Sequence, residues 1–473
     1  MISLKFRRYL VIAICLLCTA ACYVFYKWMD FDANPIRHYL AYDYYFGSPL
    51  MSSSYSQVNV SSSVHTATEA SSPSPQTVFS LGGKPVLVLF SARFDFQLGL
   101  IVLVGYFNNR LSKQPPRVTC RLSSLKSSTN LDARPWQQAV GYSMHEGHYM
   151  PYDGVLYFCP VVPTESSYLV EVNGVDVSNR ASGKIKLPVH VAESSKPADK
   201  VAACITALRY LPSEESENQF IMRLVEFIEV NRLLGVEHFY FYNMSLPSKI
   251  SAVMKHYIGI GWITVTPWSL AEGIDLDKDI HYYGQMVILN DCLYSARDRY
   301  RLLTFIDIDE MLVPTNSKGE AINLVKAAQL HSLDDRGGNC ALGFRHGVFP
   351  PSPKQEKSGE IKMPTSLIGC KIVSLLRRRR IKSILPFTER SKLLVVARQI
   401  KEIGIHFVWN SWQSCQTKQL SPSSEGLLHH YRHWAAGEMI EDQSMKWLQR
   451  DIETALIGAR DRLKHLFGID LCA

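Results

Sequence analysis

An open α/β sheet, preceded by a small β-rich module and an N-terminal membrane helix, is the fold class this sequence predicts. Three observations carry it. After about Lys196, strand-like apolar runs alternate with segments whose apolar residues recur every three or four positions. Between about 82 and 195, short apolar runs follow one another with no helical period between them. Near the N-terminus, Tyr9 to Tyr26 runs for 18 residues without a charge.

That run suits a bilayer core, which needs roughly 17–25 helical residues. Lys5, Arg7 and Arg8 precede it, and Lys27 is offset by Asp30 and Asp32. The positive flank predicts a cytosolic tail (1–8), a signal anchor (9–26) and translocation of the rest. A cleaved signal peptide is the alternative, because the run is short and ends in Thr19, Ala20, Ala21 and Cys22. Either way the bulk of the chain enters the secretory lumen. Residues 27–81 include a Ser-rich stretch that buries little apolar surface and reads as a stem. The β-rich module follows over 82–195, with VLVLF, LIVLVGYF, VLYFCPVV and KIKLPVHV as strands. The α/β domain takes 196–473.

Composition narrows the function. Hydrophobic residues make up 47% of the 473, enough to bury a core, and a net charge of +8 is modest at this length. It includes the cytosolic flank and the run Arg377–Arg380, so no nucleic-acid partner is expected. Those four arginines read as a solvated loop, with a protease-processing site or attraction for acidic glycans as alternatives. Outside the membrane run lie Cys120, Cys159, Cys204, Cys292, Cys340, Cys370, Cys415 and Cys472, with no C-x-x-C pair. That spacing argues against a zinc ribbon and allows up to four disulfides of unreadable connectivity. Asn59 and Asn243 are N-glycosylation candidates, in NVS and NMS.

Within the α/β domain, VAACITAL reads as a strand, Phe220 to Leu234 as a helix ending at Gly235, and HFYFYN and WITVTPW as strands. About Gly284 to Arg299 reads as a helix. The strand LLTFI then ends on Asp307, Ile308, Asp309 and Glu310. Two carboxylates at the end of a buried strand make a hard-oxygen site for Mg²⁺ or Mn²⁺, which can neutralise a phosphate leaving group. An ordinary acidic loop is the alternative. Phosphatases of the haloacid-dehalogenase type also follow an apolar strand with D-x-D, but continue x-[TV], where this chain has Met311.

The flanks point elsewhere. HYYGQMVILNDCLYSARDRYRLLTFIDIDEMLVP (281–314), RLVEFIEVNRLLGVEHFYFYN (223–243), RSKLLVVARQIKEIGIHFVW (390–409) and LLHHYR (427–432) together resemble the family 92 glycosyltransferases, typified by animal β-1,4-galactosyltransferases. The resemblance covers about residues 200–440. It implies a GT-A-like nucleotide-sugar-binding domain, a divalent metal (Mn²⁺ or Mg²⁺), UDP-galactose as donor and a glycan acceptor on a glycoprotein or glycolipid. Golgi residence as a single-pass type II protein follows, with a homodimer also allowed.

By the same resemblance Asp307 and Asp309 match the metal motif, with Glu310 behind them. His406 or His430 would complete it, and either could instead be structural. Tyr242 and Asn243 end the strand where uridine is held, although a glycosylated Asn243 could not line that pocket. Gly284 and Gln285 open the helix before the metal strand. Lys392 and Arg432 could pair with the diphosphate. Inversion needs a base, for which Glu389 is the candidate, with Asp334 and Asp335 behind it. The expected reaction is inverting galactosyl transfer in β-1,4 linkage; another UDP-sugar, or a non-catalytic lectin-like ectodomain, is the alternative.

Overall fold

The computed structural model describes residues 73–124, 135–163, 168–176, 179–192, 196–335, 338–351, 364–432 and 436–472. The tail, the anchor over 9–26, Asn59 and most of the stem lie outside the described residues. No helix among the described residues is long and apolar enough to cross a membrane.

Nine strands come first: β1 (Gln76–Leu81), β2 (Lys84–Asp95), β3 (Leu100–Asn108), β4 (Arg117–Ser124), β5 (Gln137–Gln138), β6 (Val140–Ser143), β7 (Tyr152–Cys159), β8 (Tyr168–Asp176) and β9 (Ala181–His190). Their order is β5-β4-β8-β9-β2-β3-β7-β6, with β1 pairing onto β2. β1 thus occupies part of the stretch assigned to the stem, because an irregularity in its register on β2 lets the consecutive Val78 and Phe79 both reach one core. The apolar runs in β2 and β3 have a physical cause. Side chains alternate between faces, and here both faces are buried. Leu87, Leu89, Ile101 and Leu103 fill a core internal to these strands. Val88, Phe90, Val102, Val104 and Tyr106 point the other way, into a core shared with residues beyond 200.

The second part opens with β10 (Ala198–Arg209), α1 (Glu217–Leu233), β11 (Val236–Ser245), α2 (Ser248–Gly259), β12 (Ile263–Pro267), α3 (Gln285–Ala296) and β13 (Tyr300–Phe305). Ser216 caps α1 in a reciprocal pair with Gln219, as a capping box requires. β12, β11, β10 and β13 are parallel neighbours, so strand ends Arg209, Ser245, Pro267 and Phe305, with Asp307 just beyond, share one edge. That carboxyl edge is where open α/β sheets place ligands. Next come β14 (Glu310–Pro314), α4 (Leu324–Leu330), β15 (Gly338–Phe344), β16 (His346–Val348), α5 (Val373–Leu376), β17 (Arg379–Ile381) and β18 (Lys392–Val396). The chain closes with β19 (Ile400–Ile403), β20 (Val408–Ser411), β21 (Cys415–Gln419), β22 (Gly426–His430), β23 (Met439–Glu441) and α6 (Gln449–Phe467). β18 runs antiparallel between β13 and β15, and β14, β22 and β16 form a small sheet beside them. The architecture is mixed α/β.

Charged groups stitch the two parts together. Arg93 of β2 grips Asp291 of α3 with two bonds, Nε to Oδ1 at 2.9 Å and Nη2 to Oδ2 at 3.0 Å. Ser91 donates to the same carboxylate. Arg297 stands 3.3 Å from Asp95, both buried. All eight cysteines outside the membrane run pair, as 120–159, 204–292, 340–415 and 370–472. The arginine run is not a solvated loop. Arg379 and Arg380 lie in β17, paired to β23, and Arg380 binds Asp442 at 2.9 Å.

Candidate active site

β13 ends at Phe305, and the chain turns through Asp307–Asp309 before β14 begins at Glu310. Both oxygens of Asp307 have protein donors: Thr206 Oγ1 at 2.9 Å and Lys392 Nζ at 3.0 Å. Lys392, the first residue of β18, is buried and also lies 3.4 Å from Glu310 Oε2. Burial alone would lower the Lys392 ammonium, but the Asp307 and Glu310 carboxylates outweigh it and hold it above the usual lysine range. Glu310 also accepts the Asp307 backbone N–H at 3.0 Å. Burial pushes Glu310 up to about 7 against the pull of Lys392, with Asp307 and Asp309 adding to the rise.

Asp309 has a different neighbour. The antiparallel register of β14 and β22 sets Glu310 opposite His430. This brings His430 Nε2 to 3.1 Å from Asp309 Oδ2. His430 Nδ1 lies 2.7 Å from His346 Nε2 and 3.4 Å from Glu310 Oε1. Burial raises Asp309, but the bond and charge of His430 overcome it and leave the carboxyl below its usual value. Burial likewise lowers His430, and the bond to Asp309 more than reverses that. His346 is driven down to about 3 by burial and by the neighbouring His430, so it is neutral. Its Nδ1 is enclosed without a partner.

These side chains can be tested against a divalent cation. Two ligands at right angles on bonds of about 2.1 Å sit about 3 Å apart, close to the 3.1 Å between Asp309 Oδ2 and His430 Nε2. Among the described residues no three acidic, imidazole or thiol groups form a cage. A pair completed by water and substrate phosphate is how small hard cations bind at phosphoryl sites. The donor set therefore fits an ion shared with a diphosphate. His430 also has the partners behind it, His346 and Glu310, that orient a ligating imidazole.

The other predicted residues fall out unevenly. His406 hydrogen-bonds Ser391 O through Nδ1 at 3.1 Å, and only His430 of the two candidate histidines stands against Asp309. Burial and the Lys392 charge drive His406 down to about 4. Tyr242 needs correction. It is 1% exposed, and its hydroxyl is spent on Asp291 Oδ2 at 2.6 Å, so it is core and cannot line a nucleotide pocket. Asn243 is half-buried in a paired strand, its Oδ1 enclosed without a partner. Gln285 is buried at the start of α3, behind Tyr282, Tyr283 and Gly284, all in the left-handed region.

Arg432 is exposed two residues beyond His430, its carbonyl accepting from Arg377 at 3.1 Å. Lys392 faces inward to carboxylates, which corrects the expectation that it reaches out to a diphosphate. Glu389 is exposed on a turn between Thr388 (φ 77°) and Arg390 (φ 59°). Such strain in non-glycine residues concentrates at functional sites. Asp335 faces Arg301 at 3.6 Å. Arg301 is six residues, about 20 Å of strand, from Asp307, so Asp335 leaves the inventory of bases. Sequence reasoning missed Thr206, His346 and Arg223. Arg223 lines a small open cleft beside Asp309, together with Ile308, Met311, Arg377 and Tyr431. The only sequence signal was that Arg223 and Phe227 share a helix face at i, i+4.

Residues 200–462, which contain every one of these site side chains, match the family model described as Glycosyltransferase family 92. The chain belongs to glycosyltransferase family 92. Among curated proteins, it is 33% identical over 94 residues to "Beta-1,4-galactosyltransferase galt-1" of Caenorhabditis elegans. That match spans 20% of this chain and 21% of the relative. Among solved structures, a mycobacterial protein aligns at 11% identity with a TM-score of 0.22, covering 46% of this chain and 59% of that one. Astrotactin-2 aligns at 10% identity and 0.15, covering 50% and 43%. Likeness at that level carries no argument about fold or function.

Proposed function

We propose that the chain transfers galactose from UDP-galactose to a terminal sugar of a glycan, in β-1,4 linkage and with inversion, using Mn²⁺ or Mg²⁺. The observation that carries this reading is the Asp309–His430 pair, 3.1 Å apart at the carboxyl edge of the parallel strands in a family 92 chain. The galactosyltransferase name of the nematode relative supports galactose as the transferred sugar.

Asp309 and His430 would hold a divalent cation, which would supply positive charge to stabilise a departing diphosphate. His430 must give up its Nε2 proton for that nitrogen to ligate, while His346 and Glu310 hold the ring through Nδ1. Asp307, fixed by Thr206 and Lys392, presents a carboxylate edge to the donor ribose. Glu389 takes the proton from the acceptor hydroxyl. The hydroxyl oxygen bonds to the anomeric carbon as the bond from that carbon to the phosphate oxygen breaks, and UDP leaves with the electron pair. Arg223, Arg377 and Arg432 surround the edge with positive charge. The disulfides suit an oxidising compartment. With the apolar run at 9–26 they support a type II protein of the Golgi membrane whose catalytic part is lumenal.

The test uses the full chain in detergent, with UDP-galactose, Mn²⁺ and an N-glycan acceptor. Transfer is expected from the wild type. Asp309→Asn should abolish it without changing the melting temperature, and Glu389→Gln should lower kcat about 10²–10⁴-fold. Near-normal turnover of Asp309→Asn would sink the metal assignment, and near-normal turnover of Glu389→Gln would sink the base. Transfer from another UDP-sugar alone would replace galactose.

A further inference from the structure

Two strained segments meet at the rim of the carboxyl edge. In the first, the loop between β6 and β7, His148 and Tyr149 have φ of 50° and 61°. In the second, the turn before α3, Tyr282 and Tyr283 have φ of 41° and 59°, followed by Gly284 at 85°. These four are half of the eight non-glycine residues with positive φ among the described residues. An aromatic residue is strained there and stays only where its surroundings enforce it.

The surroundings do enforce it. The His148 and His281 rings stack with centroids 3.6 Å apart. Tyr152 forms a parallel bridge with Ile280, and its N–H donates to Asp279 O at 2.9 Å. Trp268 Nε1 donates to Tyr283 O at 2.8 Å, and Arg209 Nη1 donates to the Tyr283 hydroxyl at 3.0 Å. Arg110 Nη2 holds Tyr149 O at 2.9 Å. What this scaffold presents outward is two phenol rings, Tyr149 at 96% and Tyr282 at 69% exposure. Tyr282 keeps contacts with the His281 and Tyr283 rings, 5.1 and 6.4 Å between centroids, and otherwise both phenols face outward.

The adjoining loop residues reach the catalytic edge. Glu146 accepts the Ile405 N–H at 2.7 Å, one residue before His406, and Glu402 of β19 binds His145 at 2.7 Å. The loop is thus wedged between the hairpin bearing His406 and the turn that opens α3. Burial and His148 drive His281 down to about 4, so its ring adds no charge to the stack at neutral pH.

We infer that Tyr149 and Tyr282 form the acceptor platform, on which a neutral sugar ring of the glycan stacks its C–H face. The β-rich part thereby supplies half of the acceptor site. This rests on the glycosyltransferase reading above. Flat, amphipathic rings at low conformational cost are the side chains that suit a ligand with one apolar face and a polar rim. The rim is present in Arg110, Arg209 and the tyrosine hydroxyls.

The experiment incubates the full chain with an array of neutral and acidic N-glycans, without donor or metal, and compares Tyr149→Ala/Tyr282→Ala with Tyr149→Phe/Tyr282→Phe. The wild type and the Phe pair should label a shared set of neutral glycans. The Ala pair should lose that binding at least tenfold, and raise acceptor KM more than it lowers kcat, at an unchanged melting temperature. Binding by the Ala pair within twofold of wild type overturns the platform, as does the absence of any labelled glycan in the wild type. Preference for acidic glycans overturns the neutral sugar. Donor use is scored separately by UDP release, so failure of the transferase reading is not confused with failure of the platform.

Discussion

Replacing Arg93 by Met removes the bidentate partner of a carboxylate that has no access to solvent. Asp291 is 0% exposed. Burial pushes its pKa up, and Arg93 with Ser91 and Tyr242 overcomes that and holds it below the usual aspartate range. Without Arg93, two hydroxyl donors remain and the charge is uncompensated. Breaking a buried pair this way costs about 3–5 kcal/mol. With an unfolding entropy of about 2.1 cal/mol/K per residue over roughly 400 residues, the melting temperature should fall by about 4–6 °C. Differential scanning calorimetry of the full chain measures it. Adding Asp291→Asn should recover part of the loss, because the stranded charge goes. A drop below about 1 °C, or a separate low-temperature transition for the β-rich part alone, would refute the shared core.

Further outcomes follow from the same geometry. Lys392→Met leaves Asp307 and Glu310 facing each other, and should cost about 3 kcal/mol, partly restored by Glu310→Gln, read by urea unfolding. Cys204→Ser/Cys292→Ser opens a cross-link spanning 88 residues, which chain entropy values at about 4–5 kcal/mol, read the same way. His145 is raised above its usual value chiefly by its bond to Glu402. Its stabilising contribution is therefore complete below about pH 6.5 and fades as pH rises through the folded-state value. Because the side chain is 46% exposed, the gap between wild type and His145→Gln should be at most about 1 kcal/mol at pH 6 and shrink by pH 8.5.

How much was legible depended on distance along the chain. The D-x-D turn could be read because LLTFI and its carboxylates are adjacent. The strand–helix alternation after 196 could be read because each period is local. Tyr242 was misplaced because β11 is buried on both sides, and a strand buried on both faces does not say which side chains meet a pocket. The arginine run misled because its strand partner, β23, begins 60 residues after Arg379. His346 was invisible because only the pairing of β16 and β22 brings it to His430. Asp309 and His430 are separated by 121 positions, and the sequence left two histidines open. The register of β14 on β22 leaves one of them against Asp309.

The central claim is inverting galactosyl transfer, and the anomeric configuration of the product tests it most directly. Proton NMR of the glycan made by the full chain from UDP-galactose and Mn²⁺ should show a new β-galactosyl residue on a terminal sugar. An α-linked product, or no transfer from UDP-galactose under conditions where the chain is folded, would contradict the account.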